Sequence, residues 1–265
     1  VSLDNPNINV VAVNDLGNIE NMAYLLKYDT AYGVSDFDVS AQLEGKNGPS
    51  LVVAGKTIKY ISEKDPTKLP WGELGIDVVV ESTGLFTSSE KAQAHITAGA
   101  KRVVVSAPIK DDPASPVQGS TVLMAMNEAD LNACQISSNA SCTTNAGSPL
   151  LAILDSTVGV EKALLNTVHG YTASQSLVDG PSKKDFRECR AAAMNLVPSS
   201  TGAAIAVTKV MKHLSGLFDG ISIRVPVVTG SIVDITFIAK RNTTVEEVND
   251  ILRKAAADKR WKGVF

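Results

Sequence analysis

Ser138-Asn139-Ala140-Ser141-Cys142-Thr143-Thr144-Asn145 stands between an apolar, strand-like stretch and a helix-like one. It sets a single cysteine among small and hydroxyl-bearing residues at a strand-to-helix transition. A thiol placed there gains exposure and a row of unpaired backbone N–H groups, a setting that lowers a thiol pKa and makes a nucleophile. The same helix end can hydrogen-bond an oxyanion. The stretch therefore points to a cysteine enzyme acting on an activated carbonyl, built where an α/β unit turns from strand to helix.

Upstream, strands and helices alternate. Asn9 to Val13 reads as a short apolar strand ending at Asn14-Asp15, and Met22, Leu25 and Leu26 share one helical face. Leu51 to Val53 and Thr57 to Ile61 read as a hairpin turning at Ala54-Gly55-Lys56. Ile76 to Val80 is a continuous apolar run of the kind found in parallel sheets covered on both faces, and it ends at Glu81-Ser82-Thr83-Gly84. Thr87 and Glu90 have capping-box spacing, which predicts a helix starting near Thr87. Val103 to Val105 is a further buried strand, ending at Ser106-Ala107-Pro108. Ligands of open α/β sheets sit beyond the carboxyl ends of the strands. Asp15, Thr83-Gly84 and Ser106 all fall on that edge. Each alone is an ordinary polar turn, but their recurrence at successive strand ends marks a cofactor edge.

Downstream the pattern changes. Pro149 to Leu154 reads as helical and Leu164 to Val168 as a strand; a long polar segment then runs from Gly170 to about Arg190. A loop of that length suggests a functional or interface role. Ile221 to Val225 and Ile232 to Ile238 are strand candidates, and Val245 to Ala257 is an amphipathic helix with Val245, Val248, Ile251 and Leu252 as its stripe. The expected second half is a mixed sheet with helices on one face. The boundary is placed just before the nucleophile, giving domains 1–141 and 142–265.

Composition narrows the function. The 265 residues are 44% hydrophobic and 20% charged, with a formal net charge of -3, so a globular fold is expected, with no reason to invoke a nucleic-acid or membrane partner. Apolar runs are too short to span a bilayer, and the residues from Val1 do not read as a signal peptide. Cysteines at 134, 142 and 189 make no disulfide framework, and with histidines at 95, 169 and 213 they form no tight metal-ligand spacing. No metal is expected, and a reducing, cytoplasmic compartment is. His169, at the end of an apolar strand, is the best base for Cys142. His95 and His213 sit within helix-like stretches, and Cys134 reads as a small buried hydrophobe. Arg224 is charged within the apolar strand Ile221 to Val225 and needs an anion, either a protein carboxylate or a ligand phosphate. Thr201-Gly202, ahead of another helix-like stretch, offers hydroxyl and N–H groups that suit a phosphate or serve as an ordinary cap.

Taken together, Ala12-Val13-Asn14-Asp15-Leu16, Leu25-Leu26-Lys27-Tyr28-Asp29, Glu81 to Phe86, Ser141 to Asn145, Thr167-Val168-His169, Asn195 to Ala204, Arg224-Val225-Pro226 and Lys262-Gly263-Val264 closely resemble glyceraldehyde-3-phosphate dehydrogenases. The resemblance implies an α/β fold: a doubly wound Rossmann-type NAD-binding domain with a mixed-sheet α+β catalytic domain. It implies Cys142 as the thiolate that attacks the aldehyde and His169 as the base. Asp15 would hold the adenosine ribose of NAD, with Thr83, Gly84 and Ser106 along the cofactor. Thr172 and Arg224 would bind the substrate C3 phosphate. Ser141, Thr143, Thr201 and Gly202 would form the site for inorganic phosphate and for the phosphate of the reacting substrate. The segment from Gly170 to Arg190 would cross a subunit interface in a homotetramer. The implied reaction is oxidative phosphorylation of glyceraldehyde 3-phosphate to 1,3-bisphosphoglycerate.

The departures are specific. No Gly-rich dinucleotide fingerprint occurs, yet Asn9 to Asp15 behaves like the second strand of such a unit. The expectation is that a preceding strand, Gly-rich turn and helix, and a following C-terminal segment, lie outside these residues. Ala146 replaces a second cysteine carried by many members, and Glu188-Cys189 interrupts a usually more basic stretch, which bears on Arg187 and Arg190. Competing readings are an erythrose-4-phosphate dehydrogenase, a thiol hydrolase using Cys142 and His169 without nicotinamide, and a noncatalytic fragment or interaction protein.

Overall fold

The computed structural model describes residues 3–45, 48–182 and 185–265. The description therefore leaves out part of the long segment after Gly170, at 183–184, and the start of the chain. Packing divides the chain into two compact units, one of 1–79 with 94–102 and the other of 80–93 with 103–265. The architecture is mixed α/β, with a Rossmann-like layer first and an α+β layer second.

In the first unit, β1 (Ala12–Asn14) leads into α1 (Ile19–Lys27), followed by β2 (Tyr28–Asp29), β3 (Gly33–Val34), β4 (Val39–Gln42), β5 (Ser50–Val53) and β6 (Lys56–Ile61). The sheet order is β1-β6-β5-β4, with β1 parallel to β6 and the rest antiparallel. The hairpin forms as expected, but its turn is only two residues. Ala54 (φ 51°) and Gly55 (φ 76°) both take the left-handed conformation that matches strand twist, so Lys56 already belongs to β6. The first strand begins later than Asn9. The face of α1 differs too: Asn18 caps the helix and Ile19 and Ala23, four residues apart, are buried, whereas Leu25 and Leu26 are exposed. Ile19, Ala23, Leu51, Val53, Ile58 and Tyr60 form one core cluster. Each large apolar side chain so buried contributes about 1.5–3 kcal/mol.

The chain continues through β7 (Val78–Glu81), α2 (Ser89–Thr97), β8 (Arg102–Val105), β9 (Ser120–Thr121) and β10 (Ile136–Ser138). These strands form a sheet in the order β7-β8-β10-β9, with β10 parallel to both neighbours. The apolar run at β7 is not covered on both faces: Val79 is buried but Val78 and Val80 are exposed, an alternation that only neighbouring layers can set. Helix α2 is capped one residue later than its Thr87/Glu90 spacing predicts. The Lys91 N–H donates to Ser88 Oγ, and Asp111 accepts from both the N–H and the hydroxyl of Ser89.

After α3 (Cys142–Thr157) come β11 (Val160–Gly170), β12 (Val197–Ser200), α4 (Ala203–Val210), β13 (Phe218–Val225), β14 (Ser231–Ala239) and α5 (Val245–Ala257). The expected mixed sheet is present in the order β12-β13-β11-β14: β11 runs parallel to β13 and antiparallel to β14. Leu151 and Leu154 of α3, Val158 at its C-cap, Leu165 of β11, and Ala203, Ala204 and Val207 of α4 belong to one core cluster. Helix α3 begins at Cys142, ahead of Pro149, which lies buried inside the helix despite the backbone donor it removes. In α5, Val248, Ile251 and Leu252 are partly buried and Ala255 is buried. Val245, at the first turn, is exposed instead of joining the stripe. Among the described residues, no helix is long and apolar enough to cross a membrane.

Candidate active site

The turn between β10 and α3 is fixed by its own polar groups. Ser138 Oγ donates to Ala107 O at 2.6 Å and accepts the Ala140 N–H at 2.9 Å. Asn145 Nδ2 donates to Asn139 O at 2.7 Å and Ser141 O at 2.9 Å. Ala140 is held at φ 55° although it carries a Cβ, a strained conformation that persists where surrounding contacts impose it. Ser141 then caps α3: its Oγ accepts the Thr144 N–H at 3.1 Å and lies 2.8 Å from Thr144 Oγ1. Cys142 is the first helical residue and is exposed. Its N–H and that of Thr143 have no intrahelical acceptor. They supply the partial positive charge of the helix end beside the sulfur. Thr143 Oγ1 lies 4.0 Å from Cys142 Sγ.

β11 delivers the candidate base. His169 Nε2 lies 3.4 Å from Cys142 Sγ, closing 27 residues of sequence. Its Nδ1 lies 2.7 Å from Gly170 O and 2.7 Å from Arg224 Nη1, which also donates to Gly170 O at 3.4 Å. The sheet register makes this possible, because His169 and Arg224 are direct partners across the parallel β11–β13 pair. Sulfur, imidazole and guanidinium thus form one chain. Arg224 Nε is buried without a hydrogen-bond partner among the described residues, an unmet donor that an anion would satisfy.

The remaining candidates occupy other places. Thr172 is exposed just past β11, with Oγ1 3.1 Å from Ser174 Oγ. Thr201 Oγ1 accepts the Ala203 N–H at 3.1 Å, and Gly202 precedes α4 without a side-chain cap. Val197 opposes Arg224 and Ser200 opposes Ile221, so the Thr201-Gly202 corner lies about 10 Å of strand away from Arg224. Thr83 and Gly84 are exposed beyond β7, with Gly84 at φ 75°, and the Ser106 N–H donates to Glu81 O. Glu81 is a buried carboxylate that accepts from the Thr83 N–H at 2.8 Å and from its hydroxyl. This role was hidden in the sequence among other strand-end polar residues.

In the first unit, Asp15 is exposed past β1, and its Oδ1 accepts the Gly17 N–H at 2.7 Å. Tyr60 donates to Gly17 O at 2.7 Å; burial chiefly, and the Asp15 charge second, push its phenol up. Tyr60 was read only as a strand residue, and β1–β6 pairing is what brings it to this turn. Asp15 Oδ2 has no hydrogen-bond partner among the described residues, leaving an acceptor of the kind that ribose hydroxyls need.

The other histidines and cysteines are occupied. Trp71 Nε1 donates to buried His95 Nδ1 at 3.1 Å, and His213 pairs with Asp155 at 2.8 Å. Cys134 is half-buried, and Cys189 donates to Phe186 O at 2.7 Å. Arg187 and Arg190 are paired with Asp185 and Asp179. Among the described residues, no group of three or more His, Cys, Asp or Glu could hold a metal ion.

Two family models match the chain. Residues 141–265 match the C-terminal domain of glyceraldehyde 3-phosphate dehydrogenase, and residues 1–89 match its NAD binding domain. The chain belongs to the glyceraldehyde-3-phosphate dehydrogenase family. It is 46% identical to glyceraldehyde-3-phosphate dehydrogenase of Clostridium pasteurianum over 256 residues, covering 96% of this chain and 73% of that protein. With the Mycobacterium avium enzyme the identity is 47% over 260 residues, 97% of this chain and 73% of the relative. With the Atlantibacter hermannii enzyme it is 46% over 258 residues, 97% and 84% respectively. The NAD-binding match makes NAD the cofactor, and the open acceptor at Asp15 suits it.

Proposed function

We propose that this chain is an NAD-dependent, phosphorylating aldehyde dehydrogenase that converts glyceraldehyde 3-phosphate to 1,3-bisphosphoglycerate. The observation that carries the proposal is the 3.4 Å approach of His169 Nε2 to the exposed sulfur of Cys142 at a capped helix start. Cys142 Sγ attacks the aldehyde carbon, forming the C–S bond, and the N–H groups of the first helical turn stabilise the developing oxyanion. His169 accepts the hydroxyl proton of the thiohemiacetal. Bound NAD supplies hydride acceptance. The resulting thioester keeps the acyl carbon activated until an oxygen of inorganic phosphate attacks it, the C–S bond breaks and Cys142 leaves as thiolate.

Asp15 binds the adenosine ribose hydroxyls and disfavours NADP, whose 2′-phosphate would meet a carboxylate. Thr83, Gly84 and Ser106 run along the cofactor. Arg224 and Thr172 take the C3 phosphate; Ser141, Thr143, Thr201 and Gly202 take inorganic phosphate. The strand distance separating Arg224 from the Thr201-Gly202 corner supports two anion positions. Residues 1–141 serve the cofactor and 142–265 the catalysis, a division by chemistry.

The protein acts as a homotetramer in the cytoplasm. Exposed Leu164, Ile221, Ile232 and Ile238 on the outer face of the β12-β13-β11-β14 sheet, with Leu177, Val178 and Phe186 in the segment after Gly170, support association. Three free cysteines suit a reducing compartment. Alkylation by iodoacetamide with peptide mapping tests the assignment. Cys142 is expected to react first, with loss of NAD reduction in step; loss that follows modification of Cys134 alone would overturn it.

A further inference from the structure

One buried residue holds both strand ends that carry Thr83 and Ser106. Glu81 closes β7 and is buried, while residues 82–85 beyond it are exposed. Its backbone carbonyl accepts the Ser106 N–H at 2.9 Å, tying the end of β8 to the end of β7. Its side-chain Oε1 accepts the Thr83 N–H at 2.8 Å and the Thr83 hydroxyl as well. Residues 81–85 and 106 all belong to the same compact unit.

A threonine hydroxyl has one proton to give. In Thr83 that proton goes to Glu81, and the same oxygen accepts the Leu85 N–H at 3.1 Å. The side chain is therefore committed to the turn and has no proton left for a ligand. What the turn presents outward is main chain. Gly84 is exposed at φ 75°, and a Cβ built on it would meet no atom within 4 Å beyond its chain neighbours. A left-handed glycine in open space lets a ligand approach the backbone closely. Both Thr83 hydrogen bonds end on one oxygen, Oε1, so an amide carbonyl at that point could accept them equally. The turn calls for an acceptor there, whatever its charge.

We infer that Glu81 is a positioning residue for NAD: its Oε1 locks the Thr83 turn so that the Thr83-Gly84 main chain meets the cofactor. Thr83 then serves through the shape of that turn, and its hydroxyl proton stays with Glu81. The inference rests on the reading of Thr83, Gly84 and Ser106 as the cofactor edge. The effect is confined to the side-chain arm of Glu81. The backbone arm leads toward the nucleophile, because Ala107 O, one residue past Ser106, accepts from Ser138 Oγ at 2.6 Å. Glu81→Ala keeps that backbone arm, so it weakens NAD binding and spares the setting of Cys142.

Calorimetric titration with NAD tests this on wild type, Glu81→Ala, Glu81→Gln, Thr83→Val and the double variant Glu81→Ala/Thr83→Val. Glu81→Ala and Thr83→Val are each expected to bind NAD about 10-fold more weakly, the scale of one or two lost hydrogen bonds. The double variant is expected to bind no more weakly than either single one, because both remove the same contact. Glu81→Gln keeps an acceptor oxygen and is expected to bind NAD as wild type does. Iodoacetamide, without NAD, should modify Cys142 in Glu81→Ala at the wild-type rate, which a general loosening of the fold would not allow. Hydrogen exchange tests the underlying reading separately: NAD should slow exchange over residues 82–86 of the wild type. If it does, and Glu81→Ala or Thr83→Val still binds NAD as wild type does, the inference is overturned and the cofactor edge stands. Additive losses in the double variant, or Glu81→Gln as weak as Glu81→Ala, overturn it too. Without slowing over 82–86, the reading of this edge fails and the inference with it. Should Glu81→Ala not fold, Thr83→Val decides: weaker NAD binding with full Cys142 reactivity supports the inference, and wild-type affinity overturns it.

Discussion

The starts of α3 and α5 are built alike and filled differently. Each has a hydroxyl cap accepting from the third helical N–H: Ser141 from Thr144 in α3, Thr244 from Glu247 in α5. At α5 the first turn carries Glu246 and Glu247, so its own carboxylates meet the positive end of the helix. Glu247 is further held by Arg241 at 2.7 Å and by Thr243 at 2.7 Å. At α3 the first turn has no acid. It carries Cys142 and hydroxyls, with His169 arriving from β11. A helix start saturated by its own side chains serves stability, whereas one left without a fixed anion is available to a thiolate, an oxyanion or a phosphate.

The sharpest way to break this comparison is to remove the sulfur. Cys142→Ser is expected to lower NADH formation by roughly 10⁴- to 10⁶-fold, the scale seen when a covalent nucleophile is lost. Acyl-enzyme is expected to disappear from the mass spectrum while NAD binding persists. Retained acylation would move the nucleophile elsewhere. His169→Asn comes next, with about 10²- to 10⁴-fold slower turnover and slower alkylation of Cys142 together. Unchanged rates for both would detach His169 from the chemistry.

The caps separate the two roles at smaller scale. Ser141→Ala and Thr244→Ala should each cost about 1 kcal/mol of unfolding free energy, measured by urea denaturation. Only Ser141→Ala should also slow iodoacetamide modification of Cys142. Equal slowing by both would mean that the cap acts through general stability alone.

The smallest effect concerns acid. Hydrogen bonding from Arg241, then from Thr243, holds the Glu247 carboxyl down at about 2. A group depressed on folding contributes stability that is fully present above its unfolded value of 4.5 and is lost as pH falls through about 2. The Tm difference between wild type and Glu247→Gln should therefore be larger at pH 6 than at pH 3. A difference that grows toward pH 3 would contradict the sign.

The sequence by itself determined that Cys142 lies at a strand-to-helix turn, that a hairpin turns near Ala54-Gly55-Lys56, that the second sheet is mixed, and that His169 stands at a strand end. These rest on local chemistry: a cysteine among small hydroxyl residues, turn residues that take positive φ, and periodic apolar runs. It misjudged which of those runs are covered. Val78, Val80, Leu25, Leu26 and Val245 are apolar and exposed, because burial depends on the layer lying opposite rather than on the run itself. It saw Arg224 as a charge in need of an anion, but only the β11–β13 register put its guanidinium 2.7 Å from His169 Nδ1. Tyr60 and Glu81 entered their turns through strand pairing and burial in the same way. Backbone preferences and helix caps act within a few residues and can be read along the chain. Register and facing layers join residues tens of positions apart, and they exist only once the sheets have formed.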